Sequence, residues 1–185
     1  MTKTRDRHDK PTGRELGWER LNTRYPFVGR RYKVRQDRVR LPNGSEIDYA
    51  YTESDGGVWV IPIQEDGEII LIRQYRYSPD VWGWEVPAGS LYDHVGSLED
   101  LARRELIEEI GAVCDRLEYI TWFYGAVSAS DAVCHVFLAY GVRLDRPPER
   151  EPTEFMEIHT MPVDEALSLA RSGEMRDGRS ALALL

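Results

Sequence analysis

Three glutamates near the middle of the chain have a spacing that could hold a metal ion. Glu105, Glu108 and Glu109 lie within a stretch that runs from Ser97 to Ala112. On a helix, side chains three or four residues apart lie about 5–6 Å from each other, and like charges at that distance repel. Carboxylates are rarely buried unless a cation accompanies them, and Mg²⁺ prefers oxygen ligands of this kind. The spacing therefore favours a metal-binding role for these glutamates.

The same stretch carries the signals of a helix that would aim two of these acids inward. Ser97 can cap the N-terminus with Asp100 as its capping-box partner, and Gly111 can adopt the left-handed conformation that ends a helix. At roughly 100° per residue, one stripe of the helix is apolar, and it comprises Leu98, Leu101, Ala102, Leu106 and Ile110. Glu105 and Glu109 fall within that stripe, and the third glutamate lies at its edge. A solvated acidic face with ion pairs is the less favoured alternative.

The composition is that of a globular protein with an acidic net charge. The chain has 185 residues and a formal net charge of −8, with 42% hydrophobic and 30% charged residues, which is typical of one globular domain. The acidic balance argues against charge-driven nucleic-acid binding. No apolar run is long enough to span a membrane, and the N-terminus lacks the apolar core of a signal peptide. Cys114 and Cys134 have no metal-type spacing, so we expect free thiols in a cytoplasmic protein.

The N-terminal part of the chain predicts an arm followed by a β-hairpin. Residues 1–15 are polar and mixed in charge, which predicts a mobile arm. Apolar and polar residues alternate over residues 31–51 on both sides of the turn signal Pro42-Asn43-Gly44, and this pattern is typical of a hairpin. We therefore assign residues 16–57 to N-terminal strands and residues 58–185 to the main domain.

The rest of the chain predicts strands on both sides of one central helix. Val58–Ile63 and Ile69–Ile72 are apolar runs typical of buried strands. Further strands are expected over residues 117–124, 132–142 and 155–160, and helices over residues 162–172 and 181–185. The charged segment 143–154 contains three prolines, and we interpret it as a solvated loop rather than a source of metal ligands.

Two motifs resemble the signature of the Nudix hydrolases, which cleave nucleoside diphosphates linked to a further group. They are Pro87-Ala88-Gly89 and the run from Arg104 to Ala112, which reads Arg-Glu-Leu-Ile-Glu-Glu-Ile-Gly-Ala. Arg73-Gln74-Tyr75-Arg76 and the stretch from Trp84 to Gly89 are similar to the ADP-ribose pyrophosphatase branch. The resemblance implies an α/β/α Nudix sandwich with a mixed β-sheet, preceded by the N-terminal hairpin region. It also implies hydrolysis of ADP-ribose to AMP and ribose 5-phosphate as the leading reaction.

The resemblance assigns roles to individual residues. Glu105, Glu108 and Glu109, together with the carbonyl of Ala88, would bind two or more ions of Mg²⁺ or Mn²⁺. Six residues are expected to bind the substrate or to support the residues that do. They are Arg73, Arg76, Trp82, Trp84, Glu85 and Gly89. Arginine offers a planar fork to phosphate oxygens, and an indole can stack on a base. Surface ion pairing for the arginines and core or dimer packing for the tryptophans remain the alternatives.

The sequence departs from the family pattern at Gly96 and Ala132, where the pattern has glutamates. Asp131 is the only carboxylate in the loop 125–131, and it or Glu108 could position the attacking water as a catalytic residue. These departures leave two alternatives open, which are a Nudix hydrolase acting on another nucleotide sugar and a ligand-binding Nudix domain without turnover. By resemblance, the N-terminal strands predict a homodimer whose site draws on both chains.

Overall fold

The chain forms two compact units in the computed structural model, which describes residues 9–185. The N-terminal unit contains the described residues up to Ser54 together with Val127–Asp131. The second unit contains Asp55–Ala126 and Ala132–Leu185. The loop 127–131 thus belongs to the N-terminal unit, although it lies within the range that we assigned to the main domain. A dimerisation role for the N-terminal strands stays a prediction.

The N-terminal unit is a three-stranded antiparallel sheet that follows a short helix. Its elements are α1 (Pro11–Glu15), β1 (Glu19–Val28), β2 (Lys33–Arg40) and β3 (Glu46–Glu53), and the strand order is β1-β2-β3. The predicted hairpin is confirmed as β2–β3, and its turn is stabilised by the Asn43 side chain, whose Oδ1 accepts from the Ser45 amide at 3.0 Å. The alternation did not predict β1. Helix α1 occupies part of the expected arm, whose residues 1–8 lie outside the described range.

The second unit contains the remaining nine strands and three helices of the described chain. The strands are β4 (Gly57–Pro62), β5 (Glu68–Arg76), β6 (Val81–Glu85), β7 (Ala88–Ser90), β8 (Ala112–Val113), β9 (Arg116–Tyr124), β10 (Val133–Tyr140), β11 (Arg143–Leu144) and β12 (Met156–Pro162). The helices are α2 (Leu98–Ile110), α3 (Val163–Ser172) and α4 (Gly178–Leu184). None of the helices in residues 9–185 is both long and apolar enough to cross a bilayer.

The strands form a mixed sheet, an antiparallel sheet and a small two-stranded ladder. The mixed sheet has the order β7-β4-β10-β9, in which β4 and β10 are parallel. The antiparallel sheet has the order β12-β5-β6, and β8 pairs with β11. The segment predicted as a loop over residues 143–154 is irregular apart from the two residues of β11.

Helices cover both faces of these sheets, which confirms the predicted α/β/α sandwich. Side chains of β4 and β5 alternate between two buried cores because successive residues of a strand point to opposite faces. One core packs against α2 and includes Val58, Val60, Ile70 and Ile72. The other core packs against α3 and α4 and includes Trp59, Ile69 and Leu71. Burial on both faces explains why these strands read as continuous apolar runs.

Helix α2 begins and ends where the sequence predicts. The Ser97 hydroxyl accepts from the Asp100 amide at 3.0 Å, and the Asp100 carboxylate accepts from the Ser97 amide at 2.9 Å. Gly111 follows the last helical residue with φ 67°, in the left-handed region. A capping box and a left-handed glycine satisfy backbone groups that a helix end leaves unpaired. The caps set the ends of α2, and the burial of its apolar stripe against the sheet turns Glu105 and Glu109 inward.

Candidate active site

Two of the three glutamates of α2 are buried against the Pro87-Ala88-Gly89 segment. The exposed fraction is 8% for Glu105 and 4% for Glu109. A Cβ added to Gly89 would lie 1.9 Å from the carboxyl carbon of Glu105, so only glycine lets this side chain lie against the backbone. The Ala88 amide donates to Oε2 of Glu109 at 2.9 Å. The two motifs that carry the family resemblance therefore meet in space.

Burial makes the charged forms of both carboxylates costly. It raises the pKa of Glu105 to about 7, although a hydrogen bond from Arg104 opposes that shift. Burial also raises the pKa of Glu109 well above its usual value, and the Ala88 amide opposes the shift only in part. Among residues 9–185, no arginine or lysine forms an ion pair with Glu109. A pair of buried carboxylates with so little local positive charge favours a cation from outside the chain.

The third glutamate lies at the rim of this site, as the helical wheel predicts. The side chain of Glu108 is 41% exposed, and its Oε2 is 3.6 Å from Nε of Arg104. Nη2 of Arg104 also donates to Oε1 of Glu105 at 3.3 Å. Arg104 therefore bridges an exposed acid and a buried acid, and it compensates part of their charge.

Arg76 and Glu85 form a forked ion pair on the α2 face of the β5–β6 sheet. Nε of Arg76 donates to Oε1 of Glu85 at 2.7 Å, and Nη2 donates to Oε2. Glu85 is buried and lies opposite Ile72 in the β5–β6 ladder, and Ile72 packs in the core against α2. The positive charge of Arg76 acts to lower the pKa of Glu109. Arg76 is therefore the arginine of this motif that lies close to the acidic site.

Strand alternation places Arg73 and the two tryptophans on the opposite face of that sheet. Arg73 lies across from Trp84 in the β5–β6 ladder, and Trp84 packs beside the core of α3 and α4. Nη1 of Arg73 is 3.7 Å from Oε2 of Glu157, and its guanidinium carbon is 5.8 Å from the centre of the Trp82 ring. These contacts are the surface ion pair and the packing that the sequence left as alternatives. A substrate contact for Arg73, Trp82 or Trp84 stays a prediction.

The structure gives a local account of the departure at Gly96 and shows where Asp131, the neighbour of Ala132, lies. Gly96 has φ 135°, which L side chains rarely adopt, so the backbone favours glycine over glutamate there. Asp131 belongs to the N-terminal unit, where its Oδ1 accepts from the Ser54 amide at 3.1 Å. The role of Asp131 as a catalytic residue stays a prediction.

A fourth acid, Glu154, lies near the buried pair, and the sequence analysis did not select it. Its negative charge contributes to the raised pKa of both Glu105 and Glu109. The Glu154 amide donates to the Glu151 carbonyl at 2.9 Å, and the Glu151 amide donates to Oε2 of Glu154 at 2.7 Å. The one signal in the sequence is its position directly before the strand predicted over residues 155–160.

The donor set suits a hard divalent cation. Carboxylate and carbonyl oxygens are the ligands that Mg²⁺ and Mn²⁺ prefer. Glycine at position 89 leaves the backbone bare beside Glu105, where a Cβ would fill the space. No three acidic, histidine or cysteine side chains of the described chain lie at mutual ligand distances. The fit therefore rests on the buried, undercompensated carboxylates and the glycine, rather than on a preassembled ligand cluster.

The acidic helix α2 covers the mixed sheet and meets the glycine of β7, as the resemblance to the Nudix hydrolases implies. The family model described as NUDIX domain matches residues 53–182. The chain therefore belongs to the NUDIX domain family. The match begins at the last residue of β3 and includes every element of the second unit apart from the last two residues of α4.

Known proteins are similar to most of the chain. An ADP-ribose pyrophosphatase of Bacillus subtilis (strain 168) is 33% identical over 159 residues, which cover 85% of each protein. An ADP-ribose pyrophosphatase of Mycobacterium tuberculosis (strain ATCC 25618 / H37Rv) is 30% identical over 163 residues, which cover 87% of this chain and 78% of that protein. A crystal structure of an ADP compounds hydrolase aligns over 90% of each chain with a TM-score of 0.77 and 23% identity. At that identity, the structural likeness establishes the fold alone.

Proposed function

We propose that this protein hydrolyses ADP-ribose to AMP and ribose 5-phosphate in a reaction that requires Mg²⁺ or Mn²⁺. The observation that carries the proposal is the burial of Glu105 and Glu109 against Ala88 and Gly89 with little positive charge from the chain itself. The names of the two bacterial relatives support ADP-ribose as the substrate.

The proposed roles follow from the contacts of each side chain. Glu105, Glu109, Glu108 and the Ala88 carbonyl would hold two or more ions. A divalent cation at such a site neutralises phosphoryl oxygens and lowers the pKa of a bound water. Arg76 would bind a phosphoryl oxygen with the guanidinium that now faces Glu85.

The reaction also needs a carboxylate that takes the proton of the attacking water. Water forms a bond to one phosphorus, the bridging P–O bond breaks, and the water proton passes to a carboxylate. Glu108 and Asp131 are the candidates from the sequence, and Glu154 is the candidate that the structure adds, because its negative charge contributes to the raised pKa of Glu105 and Glu109.

We further propose a cytoplasmic homodimer. The N-terminal unit exposes eight large apolar side chains within residues 16–49, which a partner subunit could cover. They are Leu16, Trp18, Leu21, Tyr25, Phe27, Val28, Tyr32 and Tyr49. Cys114 and Cys134 are both free thiols, which suits a reducing compartment. Light scattering of the purified chain tests the dimer, and a monomeric mass would contradict it.

Incubation of the full chain with ADP-ribose and Mg²⁺, followed by product analysis, tests the proposed reaction. We expect AMP and ribose 5-phosphate, and no products after chelation of the metal. Glu109→Gln should lower kcat by about a hundred- to a thousandfold because it removes charge where the cation would bind. Glu99→Gln is the matched control, since Glu99 lies on the same helix but pairs with Arg103 at 3.2 Å; its kcat should stay within about twofold.

The same assay separates the two alternatives. A larger kcat/KM for another nucleotide sugar, such as UDP-glucose, would replace ADP-ribose as the substrate and leave the metal site intact. Binding of ADP-ribose without turnover of any compound in the panel would instead favour a non-catalytic ligand-binding domain. Full activity of Glu109→Gln would contradict the proposed role of the buried pair.

A further inference from the structure

The loop that follows β11 is docked on the C-terminal end of α2. The Glu149 amide donates to the Glu108 carbonyl at 2.8 Å, and the Asp145 and Arg146 amides donate to the Gly111 carbonyl at 2.9 and 3.1 Å. A Cβ on Gly111 would lie 1.9 Å from the Arg146 carbonyl oxygen, so glycine permits this approach. The last carbonyls of a helix have no partner within the helix. The loop therefore satisfies carbonyls of the helix that carries the acidic site.

One guanidinium within this loop joins α2 to β12. Nε of Arg150 donates to the Glu109 carbonyl at 2.9 Å, and Nη1 donates to the Met156 carbonyl at 2.8 Å. Helix α2 has no basic residue in its own last turn, so Arg150 supplies the cation that favours the negative end of the helix dipole. Hydrogen bonds from a charged donor are stronger than neutral ones. Arg150 thus fixes the separation between a buried site residue and the first residue of β12.

The chain between these two anchored points contains Glu154. Residues 151–154 form a turn that is closed by two hydrogen bonds between Glu151 and Glu154. Directly after the turn, the Phe155 carbonyl accepts from the Tyr75 amide at 3.0 Å, which ties the chain to β5. Arg150 holds the start of this turn, and Arg150 and β5 together hold its end. The position of Glu154 therefore depends on both anchors.

We propose that Arg150 is a positioning residue that holds Glu154 beside Glu105 and Glu109. Its planar fork spans the carbonyls of Glu109 and Met156, and the turn that carries Glu154 is anchored between them. Loss of the fork frees the turn and moves Glu154 away from the buried pair. The expected loss of turnover rests on the proposed hydrolase function, whereas the expected loosening of residues 151–154 does not.

Amide hydrogen exchange tests the structural half of this proposal without any turnover. In Arg150→Ala we expect the amides of Glu149 and Glu151 to exchange about tenfold faster, while amides in the middle of α2 keep their protection. Arg146→Ala is the matched control, because within residues 9–185 the Arg146 side chain hydrogen-bonds only to its neighbour Asp145, at 2.8 Å. Unchanged exchange at Glu149 and Glu151 in Arg150→Ala would overturn the proposal.

A double-mutant cycle on kcat tests the functional half. We expect Arg150→Ala to lower kcat about ten- to a hundredfold with KM nearly unchanged, as for residues that orient a site residue. In a Glu154→Gln background, Arg150→Ala should have little further effect, because it acts through Glu154. Independent, multiplicative effects would mean that Arg150 acts through stability alone, and they would overturn the proposal.

The proposal can still be tested if Arg150→Ala does not fold or if the protein does not hydrolyse ADP-ribose. If Arg150→Ala does not fold, Arg150→Lys carries both measurements, since it keeps the positive charge at the end of α2 but loses the planar fork. If the wild-type protein hydrolyses nothing in the substrate panel, the proposed function fails, and the exchange measurement alone decides whether Arg150 holds the turn.

Discussion

Each unit of the molecule buries a pair of acidic side chains, but only the N-terminal unit buries an arginine between them. In the N-terminal unit, Arg35 is completely buried and pairs with Asp37 at 2.9 Å and with Glu53 at 3.2 Å. In the second unit, Glu105 and Glu109 are buried to a similar degree, and the chain offers them little more than Arg104 at the rim and the Ala88 amide. The first arrangement holds a sheet together, whereas the second is suited to receive a cation.

The difference predicts effects of opposite sign when one charge is removed from each group. Breaking a buried ion pair leaves an uncompensated charge in a medium of low polarity, and it costs several kcal/mol. Neutralising an acid that already lacks a partner removes such a charge, so it stabilises the folded state. The free energy of unfolding therefore distinguishes a structural acidic cluster from a ligand site, even before any substrate is known.

The largest effect on stability is expected from Arg35→Met in the N-terminal unit. The variant leaves the carboxylates of Asp37 and Glu53 buried without their cation. It should therefore lower the free energy needed to open the β1-β2-β3 sheet by about 3–5 kcal/mol. Amide exchange in β2 measures it. Arg38→Met is the matched control on the same strand, because Arg38 is exposed and its pairs with Glu46 and Asp48 span 3.3 and 3.2 Å. A similar loss in both variants would remove the distinction between the two clusters.

Glu105→Gln should have the opposite sign in protein that is free of divalent metal. Burial raises the pKa of Glu105 from 4.5 to about 7, so between these pH values the folded protein holds a proton that the unfolded chain has released. Stability of the wild type therefore falls as the pH rises through this window, by about 3 kcal/mol in total. Above pH 7 the variant should be the more stable protein by a similar amount. Urea unfolding at pH 5 and pH 8 measures this.

Added Mg²⁺ provides the control for this prediction. A cation that binds only the folded wild type at a hundred times its Kd raises the stability by about 2.7 kcal/mol. The advantage of Glu105→Gln at pH 8 should therefore disappear in excess Mg²⁺. An advantage that persists unchanged in Mg²⁺ would mean that Glu105 does not contact the ion.

Local signals in the sequence were enough to predict the helix and the direction of its acids. Ser97 and Asp100 cap α2, Gly111 ends it, and the apolar stripe turns Glu105 and Glu109 inward, all within about four turns. The hairpin and the apolar strands were also predictable, because the turn signal and the burial on two faces are properties of short segments. Strand β1 was not, since almost all of its side chains are exposed and its polar and apolar residues do not alternate.

For some residues the sequence alone could not predict whether they lie at the acidic site, because this depends on contacts between distant segments. Strand alternation separates Arg73 from Arg76, but only the packing of Ile72 against α2 shows which of them faces the acidic site. Glu154 lies 45 residues after Glu109 in the chain (154 − 109), and it reaches the site through hydrogen bonds that join a loop to a helix end. Such a contact leaves no periodic signal in the sequence.

The smallest effect is expected from Thr23→Val, which tests how redundant the compensated cluster is. The Thr23 hydroxyl donates to Oδ1 of Asp37 at 2.6 Å, beside the bond from Arg35 to the same oxygen. Loss of one of two donors should lower the free energy of opening of β2 by about 1 kcal/mol, because Arg35 still neutralises the carboxylate. Amide exchange in β2, with and without Mg²⁺, measures it. A loss as large as that of Arg35→Met, or a loss that Mg²⁺ reverses, would mean that this cluster also depends on a ligand, and the contrast between the two units would fail.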